Sequence, residues 1–347
     1  MNKFFNALLL FIPLAVVGDF LNWSGAAVFL LSAIAIIPLA KLLGDATEEL
    51  SAYTGPALGG LLNATFGNAT EIIISIFAIR AGLLEVVKAS LTGAIIGNLL
   101  LVGGMAMLAG GFKRKKQEFN RTAAVASSAT LLLAVIALVI PAMFYQTAEH
   151  VDQQTILQLS VMVSVIMILF YVASLVFALY THKHLYTEEL VHYIARWSKK
   201  KSVAVLTVCA LLVGWMSEIL VRAIEPTVEV FGWSELFIGV IFVAIIGNAA
   251  EHMSAVTIAL KNRMDLSLQI SIGSATQAAM FAAPLLVLAS LVLGNPMDLV
   301  FTTFELIAIM LSVLITNLAV GDGESHWLKG LQLLMAYFIM AVAFFFY

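Results

Sequence analysis

Glu71 and Glu251 each lie near the middle of a long apolar run, within the near-copies Gly67-Asn68-Ala69-Thr70-Glu71 and Gly247-Asn248-Ala249-Ala250-Glu251. An acid buried in lipid costs at least about 2.5–3.5 kcal/mol on insertion scales, so such residues mark function. A matched pair 180 residues apart implies one shared task. The chemistry open to two carboxylates here is to hold either a divalent cation or protons. Asn68 and Asn248 precede the acids by three residues, which on a continuous helix places amide and carboxylate on one face. The next apolar runs contribute Asn98 and Gln277. Oxygen donors of this kind suit Ca2+, which takes about six to eight of them, and no His or Cys cluster suggests zinc or copper. Glu71, Glu251, Asn68, Asn248, Asn98 and Gln277 are therefore the expected metal-contacting residues, with Ca2+ as a transported substrate and no resident cofactor.

Two ionised carboxylates at close range in a dry interior repel each other. Protons should occupy the pair when metal is absent and leave when it binds. The two groups then titrate as a unit, and the competition is itself a coupling mechanism. Glu71 and Glu251 are thus also the proton-coupling candidates. His252 is a third, either as a packing residue or as one that tunes the pH response, since histidine titrates nearest neutrality. Gly67 and Gly247 weaken their helices just ahead of the ligands, as do Gly93, Gly97 and Gly273 in the neighbouring runs. Freed carbonyls could complete a coordination shell where they line a cavity. The alternative for these glycines is close helix packing, the reading favoured for Gly103 and Gly104.

Membrane-spanning helices must position these groups. Of 347 residues, 62% are hydrophobic and 11% charged, against about 25% charged in soluble domains. The net charge of −3 gives no reason to expect nucleic acid, and the single Cys209 reads as a packing residue. Eleven spans are expected, at 4–21, 25–43, 57–80, 90–111, 122–145, 156–180, 203–223, 235–260, 270–293, 298–320 and 328–347, making an all-α polytopic membrane protein. Of 18 Lys and Arg residues, only Arg80, Lys88 and Arg222 fall on the side away from the N-terminus. That bias puts the N-terminus in the cytoplasm and the C-terminus outside.

Glu71 falls in the third span and Glu251 in the eighth, an odd separation, so the two copies run antiparallel. Gly59 with Gly239, and Gly93 with Gly273, keep the offset of 180. The expected organisation is an extra first helix (1–22), two inverted five-helix repeats (23–180 and 203–347) and a cytoplasmic linker (181–202), with the site at the midplane between repeats. Asn63, two turns before Glu71, is a further candidate for the ion path, the alternative being a helix–helix hydrogen bond. Glu218 is either part of an external vestibule or an interfacial acid. Asp45, Glu48, Glu49 and Asp265 are placed in cytoplasmic loops, where they concentrate cations or are simply solvated. Lys113 to Lys116 are orientation charges and candidate contacts to anionic membrane lipids.

Gly44-Asp45-Ala46-Thr47-Glu48-Glu49, the run from Gly59 to Glu71, Gly247-Asn248-Ala249-Ala250-Glu251-His252 and Gln269-Ile270-Ser271-Ile272-Gly273-Ser274-Ala275-Thr276-Gln277 together resemble the Ca2+/H+ antiporter family of the cation/Ca2+ exchanger superfamily. The resemblance covers the chain after its first span. It implies a secondary transporter, not an enzyme, that exports cytoplasmic Ca2+ in exchange for protons at Glu71 and Glu251. Asn68, Asn98, Asn248 and Gln277 would be the polar helpers. It also implies an extra first helix, assembly as a trimer and residence in a bacterial cytoplasmic membrane. Sodium-coupled relatives carry Gly-Thr-Ser-Leu-Pro-Glu; this chain has Asn68 and Thr70, and Asn248 and Ala250, where that pattern has Ser and Pro, which argues for protons. A Na+/Ca2+ exchanger is the nearest competing reading, followed by a passive channel and an intramembrane metal-dependent lipid transferase.

Overall fold

The structure, a computed structural model, describes residues 3–54, 59, 62, 65–112, 114–148, 152–182 and 195–347. Asn63, Lys113 and most of the expected linker, from Lys183 through Glu188 and Glu189, lie outside the described residues.

In lipid the backbone has no partner but itself, so long apolar runs fold as helices. Eight described helices are long and apolar enough to span: Gly25–Ser51, Leu84–Gly111, Arg121–Thr147, Gln153–Thr181, Lys199–Phe231, Met264–Leu293, Thr303–Val320 and Trp327–Phe346. A bent pair, Glu235–Gly247 and Ala249–Leu260, brings the number to nine. The expected first span is represented by the shorter Phe5–Phe20, about 24 Å long at about 1.5 Å per residue, against a hydrocarbon core of about 30 Å. The second half of the expected third span is the helix Ala69–Arg80.

Helix starts follow capping chemistry. Ser24, Asn120, Asp152, Ser198 and Ser234 each accept from a backbone N–H three residues on, and Thr302 forms a capping box with Glu305. The helix Leu84–Gly111 is the innermost, with 83% of its span window buried against 17% for Gln153–Thr181. The first can therefore carry polar side chains among protein groups, whereas the second leaves its apolar surface to lipid. One feature departs from an all-helical reading: Gln117–Glu118 pairs antiparallel with Glu324–Ser325, and Lys116 joins Glu118 and Glu324 beside it at 2.8 Å each.

The acids expected in loops are helical instead. Asp45, Glu48 and Glu49 sit in the last turns of Gly25–Ser51, which outruns its apolar stretch because polar pairs support the extra turns. Lys41 binds Asp45 at 2.9 Å, an i,i+4 pair. Glu49 is buried and accepts from the Arg196 and Trp197 amides at 2.7 and 2.9 Å. Asp265 occupies the first turn of Met264–Gln277 and accepts from the Asn120 amide.

Candidate functional site

Asn68 and Asn248 do not continue the helices that their positions suggested. Asn68 (φ −93°, ψ 16°) and Asn248 (φ −103°, ψ 14°) adopt the same non-helical turn, and at Asn248 the span bends by 61°. New helices start at Ala69 and Ala249, so each glutamate lies in a first turn, where the positive end of the helix dipole favours a carboxylate. The breaks have a signal in the sequence: Asn-x-x-Glu ahead of an apolar run is a helix-start pattern. Yet neither asparagine side chain caps its helix.

Both are spent across helices instead. Asn98 Nδ2 donates to Asn248 Oδ1 and to Ser274 Oγ, each at 2.9 Å. Ser274 Oγ reaches Asn248 Oδ1 at 3.3 Å and Asn68 Oδ1 at 3.4 Å. Asn68 Nδ2 donates to Gln277 Oε1 at 2.8 Å, and Asn248 Nδ2 donates to the Ala244 carbonyl at 3.0 Å. A carbonyl can only accept, so Ala244 sets the orientation of the Asn248 amide and, through it, that of Asn98. The four amides singled out from separate runs thus form one belt, joined by Ser274. That serine was missed; its position three residues before Gln277 offered only a shared helix face.

Glu71 is 2% exposed and packs over Gly247, where an added Cβ would lie 3.3 Å from the Glu71 Cβ. Both Glu71 carboxylate oxygens, Glu251 Oε2 and Asn98 Oδ1 are buried without a hydrogen-bond partner. Glu71 lies within electrostatic reach of Glu251, and the Asn248 side chain lies close to it without making a hydrogen bond. Among the described residues, no three His, Cys, Asp or Glu side chains converge. His252 is buried beside Glu251, and Glu218 is exposed.

The glycines divide by role. A Cβ at Gly93 would strike the Val240 carbonyl and Ala244, and one at Gly104 would meet Leu334 and the Gly330 carbonyl; both serve close packing. Beside Gly97 and Gly273 there is open space out to 4 Å. Gly97 begins a π-helical segment, Gly97–Val102, that includes Asn98. Further π segments are Ile238–Val243, one helical turn before the break at Asn248, and Ala278–Ala282, directly after Gln277.

A family model described as sodium/calcium exchanger protein matches residues 24–180 and 201–346. The chain is 47% identical to "Ca(2+)/H(+) antiporter ChaA" of Bacillus subtilis (strain 168), covering 99% of each chain. It is 44% identical to a "Ca(2+)/H(+) antiporter" of Aphanothece halophytica, over 100% of this chain and 97% of that one. Among solved structures, native YfkE superposes with a TM-score of 0.87 at 45% identity, over 99% of this chain and 100% of that one. The H+/Ca2+ exchanger CAX, at 15% identity and a TM-score of 0.71 over 99% and 91%, shares the fold.

Proposed function

Because the chain belongs to the sodium/calcium exchanger protein family, we propose that it exchanges Ca2+ for protons across a membrane. It is a secondary transporter and an integral membrane protein. Its shared cation and proton site is the pair Glu71 and Glu251, with Asn68, Asn98, Asn248 and Gln277 as neutral oxygens at hand.

One observation carries the assignment: three buried carboxylate oxygens have no protein partner, while the amides around them bond to one another. A buried unpaired charge is too costly to leave uncompensated. The pair therefore holds protons or a divalent cation, and two protons balance one Ca2+. Because the empty, ionised pair is disfavoured, the site changes sides only when loaded, which makes the two fluxes obligatory partners.

The surrounding architecture in this reading is an extra helix (1–22) and two inverted repeats (23–180 and 203–347) joined by a linker (181–202), eleven spans in all. The N-terminus lies in the cytoplasm and the C-terminus outside a bacterial cytoplasmic membrane, the direction of transport is export, and the assembly is a trimer among membrane lipids. Asymmetry of Lys and Arg and the offset of 180 support this arrangement. Everted vesicles test the function. Ca2+ uptake should collapse with a protonophore, ignore a sodium gradient, and vanish in Glu71→Gln and Glu251→Gln although both proteins insert. Wild-type uptake in either variant refutes the site, and sodium-driven uptake refutes proton coupling.

A further inference from the structure

The helix Ala249–Leu260 buries Ala249, His252, Ala255 and Ala259. The rest of the helix is less buried: Ala250, Glu251, Met253, Val256 and Ile258 are partly exposed, Ser254 and Thr257 are exposed, and exposed Lys261 follows at the end of the helix. Glu251, Ser254 and Thr257 step at three-residue intervals, so each side chain neighbours the next. A hydroxyl in hydrocarbon satisfies itself by folding back on the carbonyl four residues earlier. Ser32, Ser217 and Ser312 do so in buried places, and Thr207 does so in an exposed one. Ser254 and Thr257 make no such bond among the described residues. At the offset of 180 the first half has Ile74 and Phe77 instead, and Ile74 is 1% exposed. Opposite Ala250 stands Gly44, where an added Cβ would lie 3.9 Å from the Ala250 Cβ, so Gly44 itself puts no side chain against the helix at that level.

We propose that Ser254 and Thr257 form the approach track to Glu251, two hydroxyls that replace water around an incoming divalent cation as it moves inward from the Lys261 end of the helix. The identity of that cation as Ca2+, and of the Lys261 end as cytoplasmic, rests on the antiport reading; the exposure of the track does not.

Cysteine chemistry tests it. In a Cys209→Ala background, Ser254→Cys and Thr257→Cys in everted vesicles react with a membrane-impermeant maleimide, Ca2+ slows the reaction, and Ile74→Cys stays unmodified. Reaction only with a membrane-permeant reagent, no reaction at either position, or a rate that Ca2+ leaves unchanged overturns the track. Kinetics supply a second readout. Ser254→Ala combined with Thr257→Val raises the cytoplasmic-side KM for Ca2+ by about two- to tenfold, the worth of lost hydrogen bonds, with Vmax near wild type, and restoring Thr257 recovers part of the loss. An unchanged KM counts against the proposal. Failure of the antiport reading appears elsewhere, as Ca2+ transport that survives Glu71→Gln, and leaves the labelling pattern intact.

Discussion

Glu71 is 2% exposed and packed over Gly247, whereas Glu251, three residues past the same turn in the other half, is partly open. The local conformations match, with Asn68 and Asn248 within 10° of each other in φ. The surroundings do not. The Glu71 helix continues with Ile74 and Phe77, and the Glu251 helix with Ser254 and Thr257 at the same offset. Gly93 is jammed against a carbonyl, while its counterpart Gly273 faces open space. Like motifs in unlike settings give one glutamate that is fully buried and one that is partly exposed.

The sharpest way to break this comparison is to shorten each acid in turn. Glu71→Asp should cost about a hundredfold in initial Ca2+ uptake, since about 1 Å of misplacement in a fixed site carries that penalty. Glu251→Asp should retain more, because its side chain has room to adjust; equal losses would erase the distinction. Next come the paired glycines. Gly93→Ala should destabilise by about 1–3 kcal/mol through overpacking, read as a lower melting temperature in detergent. Gly273→Ala should be neutral or stabilising by up to about 1 kcal/mol from helix propensity. A wild-type melt for Gly93→Ala would contradict the close approach of its helix to Val240.

Smaller effects separate the amides. Asn98 donates to two partners and Gln277 accepts from one, so Asn98→Ala should cost about 1–2 kcal/mol and Gln277→Ala about 0.6 kcal/mol. The reverse order in denaturation would move the centre of the belt. The least effect is expected at the surface, where hydrogen bonds to Glu118 and Glu324 raise the Lys116 pKa and the hydrogen bond from Lys116 lowers that of Glu118. The Glu118 contribution is complete above its unfolded pKa and fades as pH falls through the lowered folded value. The Lys116 contribution is complete below its unfolded pKa and fades as pH rises through the raised folded one. Between those limits the pair is saturated, so Lys116→Met should shift the melting temperature slightly and equally from pH 6 to pH 8, and a shift that varies within that window would exclude the pairing.

Much of the site was legible in one dimension because its signals are compositional. An acid in an apolar run, repeated at a constant offset, needs no coordinates to be noticed. Asn68 and Asn248 share that offset, Asn98 and Gln277 stand out as polar residues in the next apolar runs, and the structure brings the four amides together. The helix breaks were legible too, from Asn-x-x-Glu, but an expectation of continuous spans overrode that pattern. Ser274 and the buried Glu49 gave no comparable signal, since a serine in a helix and an acid beyond an apolar run are both ordinary.

One dimension is enough for the helical membrane class and most span positions, and it singles out the two acids as candidates, since the cost of polar atoms in lipid acts on each residue wherever it lies along the chain. Tertiary structure decided which amide meets which, because Asn98 and Asn248 are 150 residues apart and Asn68 and Gln277 are 209 apart, and only packing sets such distances. It also decided that three of the carboxylate oxygens are buried and unpaired, and that Glu71 is fully buried while Glu251 is partly exposed. Those properties belong to the space between helices, which no local pattern encodes.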